Sequence, residues 1–247
     1  MKKPKGVILN YMIFSLLFAG AALLTGKAAL ETDFSVNDIA PAIAEKPIVQ
    51  LVIDPGHGGE DGGANVGEVM EKELNLQVSE CLYDICTVFG YSTRMTRTDD
   101  RLLYDYYDDL TDYTGKKKTY DLKNRLRIAE ENEAELFVGI HMNKFPEEKY
   151  RGLQVYYSPN NQGSETAARL VQSYAKKYTD PTNTREIKAS GDSIYILKRI
   201  EMPAILVECG FISNPDERAA LLTPEYRARL AAVIFSSCAE YLIAAEK

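Results

Sequence analysis

The chain has 247 residues, more than one average domain, which suits a single α/β unit with an appendage and allows a sizeable buried core. Its 29 basic and 36 acidic residues leave a net charge of −7, which argues against a nucleic-acid or polyanion partner, because no excess of cations neutralises such a partner. The N-terminus differs from the rest. Lys2, Lys3 and Lys5 precede an uncharged apolar stretch from Val7 to about Leu24, near the length that crosses a bilayer, with its positive flank on the cytoplasmic side. Residues 1–28 are therefore read as a membrane anchor or signal, 29–46 as a polar, acidic stem and 47–247 as the folded domain on the extracytoplasmic face. Ala28 and Ala29 would also suit cleavage, which would make the domain secreted, but the apolar stretch exceeds a usual signal core and favours the anchor.

Ile48 to Asp54 is a compact apolar run stopped by Pro55 and glycines, the pattern of a buried strand that ends in a loop. From Glu71, residues Leu74, Val78, Cys81, Leu82, Ile85 and Phe89 recur at helical spacing until Gly90. Tyr91 to Arg97 reads as a strand, Asp121 to about Glu133 as a helix with Leu122, Leu126 and Ala129 inward, and Leu136 to His141 as a strand. Further strands are expected over Leu153 to Tyr157, Ser193 to Lys198 and Ala204 to Cys209, with helices near Glu165 to Tyr178 and Glu225 to Ala244. Such interleaving predicts an α/β domain: a central mixed, mostly parallel sheet covered by helices on both faces. Cys81, Cys86, Cys209 and Cys238 match no zinc or redox spacing and are read as buried small hydrophobes, although an extracytoplasmic location would permit disulfides.

The glycine loop from Asp54 to Gly63 leaves the first strand, and ligands of open α/β sheets bind outside the carboxyl ends of strands. Asp61 stands where a dinucleotide fingerprint needs its last glycine, and no phosphate loop occurs. His57 lies in that loop and His141 closes the run Leu136 to Ile140; each alone reads as a satisfied structural histidine. The chain has no other histidine, and both take the same topological position, where imidazole is the commonest zinc ligand. A catalytic zinc needs a third protein ligand, for which Glu71, Glu73, Glu60 and Asp61 are candidates. A carboxylate at a helix start is held rigidly and favoured by the helix dipole, which points to Glu71, but spacing does not separate it from Glu73. Glu208 ends the apolar run Ala204 to Val207, where a carboxylate is costly unless paired or near a metal; beside a metal site it could act as general base and acid. A strand-end carboxylate paired with Lys or Arg is the plainer reading.

Four segments carry a family resemblance: Ile53 to Gly59, Glu71 to Leu76, Leu136 to Asn143, and Pro203 to Glu208. In this order they resemble the hallmarks of the zinc-dependent N-acetylmuramoyl-L-alanine amidases of the type-3 amidase family. The resemblance implies Zn2+ held by His57, Glu71 and His141, with Glu208 catalytic, and it selects Glu71 over Glu73 because the family's ligand directly precedes Lys. Gly139 stands where serine is usual and Glu130 where asparagine is usual; Arg125 matches a helix arginine of the family. The implied reaction is hydrolysis, by zinc-activated water, of the amide between N-acetylmuramic acid and L-alanine of the stem peptide, with peptidoglycan as substrate.

A narrower resemblance, over Thr96 to Asp100, Lys116 to Arg125 and Ser193 to Lys198, is to the spore-cortex amidases of endospore-forming bacteria, and implies a role in cortex maturation at the forespore envelope. The Tyr- and Asp-rich stretch from Tyr104 to Tyr113 is read as a solvated surface insertion. Implied partners are peptidoglycan, the cytoplasmic membrane through the N-terminal segment and an unknown accessory regulatory protein. The alternatives are another zinc peptidase, such as a carboxypeptidase on cell-wall peptides, and a non-catalytic wall-binding protein.

Overall fold

A computed structural model describes residues 49–245, so the anchor and stem readings lie outside the described residues. The elements run β1 (Leu51–Pro55), β2 (Asn65–Val66), β3 (Val69–Met70), α1 (Glu71–Val88), β4 (Thr93–Met95), α2 (Lys117–Glu131), β5 (Leu136–Asn143), β6 (Gln154–Tyr157), α3 (Gln162–Tyr178), β7 (Lys188–Ala189), α4 (Tyr195–Arg199), β8 (Ala204–Phe211), α5 (Pro215–Leu221) and α6 (Pro224–Ala245). Six strands make one sheet in the order β4-β1-β5-β8-β6-β7. The strands β4, β1, β5 and β8 are mutually parallel, β6 runs antiparallel to β8, and β7 is parallel to β6. This is the expected mixed, mostly parallel sheet.

Both faces of the sheet are covered, which is why the central strands read as continuous apolar runs rather than alternating ones. Leu51, Ile53, Leu136, Val138, Ile140, Ile205 and Val207 face a core formed with α1, α3 and α6. Val52, Phe137, Ala204 and Leu206 point the other way, into a smaller core closed by Ala129 of α2 and by Ile196, Leu197 and Ile200 around α4. On α1 the stripe Leu74, Val78, Leu82 and Cys86 is buried, and each large aliphatic side chain so buried contributes roughly 1.5–3 kcal/mol. The helix ends where Gly90 takes φ 79°, with its N–H on the Thr87 carbonyl. Among the described residues α6 is long and apolar enough to span a bilayer, but Leu230, Ala231, Ile234, Cys238 and Leu242 are buried in the larger core, so it serves as a core helix here. All four cysteines are free; Cys86, Cys209 and Cys238 are buried and Cys81 is half-buried.

Two sequence readings need correction. Ser193 to Lys198 is not a strand: Tyr195–Arg199 forms a short helix, with the N–H groups of Lys198 and Ile200 on the carbonyls of Ile194 and Ile196. A short apolar run carries no distinguishing period, and β8 already has β5 and β6 as neighbours, so the segment is free to lay Ile196 and Leu197 across the sheet instead. On α2, Ala129 is inward as expected, whereas Leu122 and Leu126 are only half-buried at the edge of the smaller core. The deeply buried positions include Asp121, Asn124 and Arg125, because the inner face of α2 is a polar clamp. The stretch from Tyr104 to Tyr113 is a run of surface turns tied back to α2, where Tyr107 Oη donates to Glu131 Oε2 (2.6 Å) and Arg127 stacks on the Tyr107 ring.

Candidate active site

The site is built at the carboxyl ends of β1, β5 and β8. After Pro55 the chain turns sharply, and His57 sits in the left-handed region at φ 63°, a conformation that costs energy and must be held from outside. Two buried guanidiniums hold it. Arg125 donates to Pro55 O (2.8 Å) and His57 O (2.5 Å); Arg97 donates to Pro55 O (2.8 Å), Gly56 O (3.0 Å) and Lys72 O (2.9 Å). Arg125 is itself clamped by Asp54 (2.6 Å) and Asp121 (2.9 Å). Burial alone would raise the Asp54 carboxyl, but Arg125 and the Thr96 hydroxyl outweigh it and hold Asp54 below the ordinary carboxylate range.

Glu71, the first residue of α1, lies on the buried face of that helix with Leu74, Asn75 and Val78. Its carboxylate accepts from Ala64 N (2.8 Å) and Met142 N (3.1 Å), and lies 3.3 Å from His57 Nε2 and 3.0 Å from His141 Nδ1. The ring centroids of His57 and His141 are 5.1 Å apart. One donor atom from each of His57, Glu71 and His141 falls within 4.8 Å of the others, so the three form a group that could hold a metal ion. Burial would raise the Glu71 carboxyl, yet the two imidazoles outweigh it and lower its pKa strongly. Burial would lower His57, but Glu71 and Asp61 outweigh it and raise its pKa above 6.5.

The backbone passes so close to this group that two positions admit no side chain. A Cβ on Gly56 would overlap the His141 imidazole, and one on Gly63 would lie 2.6 Å from Glu71 Oε2 and 2.7 Å from His57 Cδ2. Of the other acidic candidates, Asp61 bonds His57 Nδ1 (2.9 Å), the ring nitrogen turned away from Glu71, and so orients the imidazole. Glu73 is exposed on the outer face of α1, and Glu60 is exposed and paired with Lys117.

Glu208 is the parallel register partner of His141, with a register shift in β5 just beyond the histidine. Glu208 Oε2 is shielded from solvent and has no hydrogen-bond partner among the described residues. Burial, opposed by the imidazoles of His141 and His57, pushes this carboxyl up to about 7. It lines a pocket of about 270 Å3 together with His141, Gly139, Leu206 and residues of α2 and α4. Gly139 forms part of the pocket wall, and a Cβ there would meet only ordinary contacts at 3.6 Å or more, so the usual serine would fit; Glu130 is exposed.

Sequence reasoning did not assign Arg97 or Asp54 a part in the loop clamp, nor Asp61 an orienting one. The available signals were a charged residue ending the Tyr91 to Arg97 run and a carboxylate four positions after His57.

An α/β sheet that gathers imidazoles and carboxylates beside a pocket at its strand ends defines a hydrolase-type active site. The chain belongs to the N-acetylmuramoyl-L-alanine amidase family, whose sequence profile matches residues 51–239. Its activity is that family's, hydrolysis of the amide between N-acetylmuramic acid and L-alanine in peptidoglycan. It is 32% identical over 191 residues to the germination-specific N-acetylmuramoyl-L-alanine amidase of Bacillus subtilis, covering 77% of this chain and 78% of that one. Among solved structures it is similar to the CwlD amidase of Clostridioides difficile in complex with the GerS lipoprotein (35% identity, TM-score 0.72, 79% of this chain and 98% of that one). It is also similar to an N-acetylmuramoyl-L-alanine amidase from Clostridium difficile 630 (29% identity, TM-score 0.67, 78% and 96%).

Proposed function

We propose that His57, Glu71 and His141 hold a zinc ion and that Glu208 carries the proton during amide cleavage. The observation behind this reading is the convergence of a His–Glu–His donor set with a shielded, unpartnered carboxyl on the neighbouring strand. Two imidazoles and one carboxylate are a donor set that catalytic zinc uses, and the crowded Gly56 and Gly63 backbone fits a centre built to tight tolerance. A zinc ion there supplies Lewis acidity toward water and the lactyl amide carbonyl.

Glu208 takes the proton from the attacking water and returns it to the alanine nitrogen as the C–N bond breaks. Burial of Glu208 raises its affinity for a proton above that of an ordinary carboxylate, which makes it a better acceptor for this transfer. Asp61, bonded to His57 Nδ1, leaves Nε2 directed at the donor set, and Arg97 and Arg125 hold the loop that carries the histidine.

Purified peptidoglycan digested with and without a chelator tests metal and bond together. Intact stem peptides with free L-alanine N-termini are expected, with their release lost on chelation; release of single amino acids would instead identify a carboxypeptidase, and no release a wall-binding protein. Metal affinity is also expected to fall on acidification. Protons compete for His57, whose pKa lies above 6.5, so the loss begins above that pH. Chromogenic chelator competition between about pH 8 and 6 measures it, and a flat affinity over that range counts against His57 as a ligand.

The same reading makes residues 1–28 an anchor, 29–46 a stem and 47–247 the catalytic domain, supported by Lys2, Lys3, Lys5 and the apolar stretch that follows. The germination-specific name of the Bacillus subtilis relative supports a role in the spore. The Clostridioides difficile neighbour, solved with a lipoprotein, supports an accessory protein at the envelope.

A further inference from the structure

The end of the domain opposite the site carries an apolar patch. Val88 and Phe89, where α1 stops, are 81% and 66% exposed, and Ile243 near the end of α6 is 52% exposed. The Phe89 ring lies 4.9 Å from that of Phe235, which also meets Tyr91 at 5.4 Å. Phe235, Ala239 and Ile243 recur every four residues and so form one stripe of α6, which Phe235 joins to the end of α1.

The topology places this patch at the amino-terminal end of the sheet. The turn after α1 meets the start of β1, where the N–H groups of Gln50 and Leu51 donate to Ser92 O (2.9 and 3.2 Å). The helix α6 follows β8 and α5 and runs back from the site toward the same end. Between Leu136 and His141 the strand β5 rises about 17 Å, which separates the site from this end.

The chain also enters the domain here. Val49 lies directly before β1, and upstream in the sequence are the stem and the apolar stretch from Val7 to about Leu24. An anchor there tethers the domain by the end that bears the patch. Tethering turns an encounter with lipid into an intramolecular contact, for which a small surface suffices. Three side chains so exposed present roughly 300–400 Å2, the size of a functional patch and well short of the ~800 Å2 that each partner of a stable dimer buries. Neither helix has a basic residue in its last turn. The charged residues one turn before Val88 and next to Ala239 are acidic: Asp84, and Glu240, which accepts from Tyr174 Oη. An apolar surface bordered by acids selects neither an anionic headgroup nor an acidic peptide; its counterpart is the apolar part of a bilayer interface.

We propose that Val88, Phe89, Phe235 and Ile243 form a membrane-seating surface: this end of the domain rests in the interfacial layer of the bilayer and holds the active site facing away from the lipid, toward the wall. The proposal goes beyond the reaction and rests on the anchor reading of residues 1–28.

The chain contains no tryptophan, so a single introduced one reports its own surroundings. Full-length Val88→Trp and Ile243→Trp, with Phe145→Trp at the site end as the control, are reconstituted into phosphatidylcholine vesicles with and without acyl-chain-brominated phosphatidylcholine, a contact quencher. All three positions are exposed, so the core stays as in the wild type. Brominated lipid is expected to quench Val88→Trp and Ile243→Trp at least roughly twofold more than Phe145→Trp, and added salt should leave this quenching unchanged. Quenching at either reporter no greater than the control's, or quenching abolished by salt, overturns the proposal. So does a blue shift without quenching that grows with protein density, which would identify a second copy of the chain as the occupant. Failure of the anchor reading looks different: neither the variants nor the wild-type chain then float with the vesicles.

Discussion

Glu208→Gln is expected to lose turnover by about 10²–10⁴-fold while binding metal as the wild type does, because the amide keeps the shape of the side chain but cannot accept and return a proton. Hydrolysis rate and metal content measured on the same preparation decide the matter. A near-normal rate removes Glu208 from the reaction, and a loss of metal makes it a ligand instead. Stability supplies an independent signature in the metal-free protein. A carboxyl raised from 4.5 to about 7 favours the folded state while protonated, so its contribution is present below about 4.5 and is lost as the pH rises through 7. Glu208→Gln should remove that decline, and denaturant titrations across this range would show it.

Arg125→Ala is expected to destabilise the domain by about 3–5 kcal/mol, the cost of leaving buried carboxylates without their cation. Asp54 and Asp121, both nearly inaccessible to solvent, lose that cation together, and the carbonyls of Pro55 and His57 lose a donor. For a domain of this size the melting temperature should fall on the order of 10 °C. Arg125→Ala combined with Asp54→Asn should be less destabilised than the sum of the single changes, because removing both charges leaves less to compensate. A change below about 1 kcal/mol in Arg125→Ala would show that the clamp is not structural.

What the sequence revealed of this fold follows from where each element gets its order. The strands β1, β5 and β8 are legible because burial on both faces turns them into unbroken apolar runs, and α1 because its stripe repeats at 3.6 residues. The segment around Tyr195 is not, since its conformation is decided by the sheet it lies against. The two-residue strands β2, β3 and β7 are too short for any pattern. The helix α5 went unread although Asn214 caps it, accepting from Asp216 N and Glu217 N, and Pro215 opens it.

The site divides in the same way. His57, His141 and Glu208 stand out as polar residues in or just after apolar runs. Glu71 falls on the buried stripe of α1 with Leu74, Asn75, Val78 and Leu82, whereas Glu73 falls outside it; in the sequence the two were separated by the family resemblance. Arg97 was opaque because the carbonyl it serves at Pro55 lies 42 residues away in the chain, and Arg125, whose Pro55 partner lies 70 residues away, was singled out by the family resemblance alone.

The register that sets His141 opposite Glu208 makes the sheet a ruler for the reaction. Adjacent strands lie about 4.7–4.9 Å apart whatever the loops beyond them do, so the spacing between His141, a proposed metal ligand, and Glu208, the proposed proton carrier, is set by backbone pairing. Changes in the loops around the rim therefore leave this spacing intact, whereas a one-residue slip of β8 would turn the Glu208 carboxyl to the opposite face of the sheet.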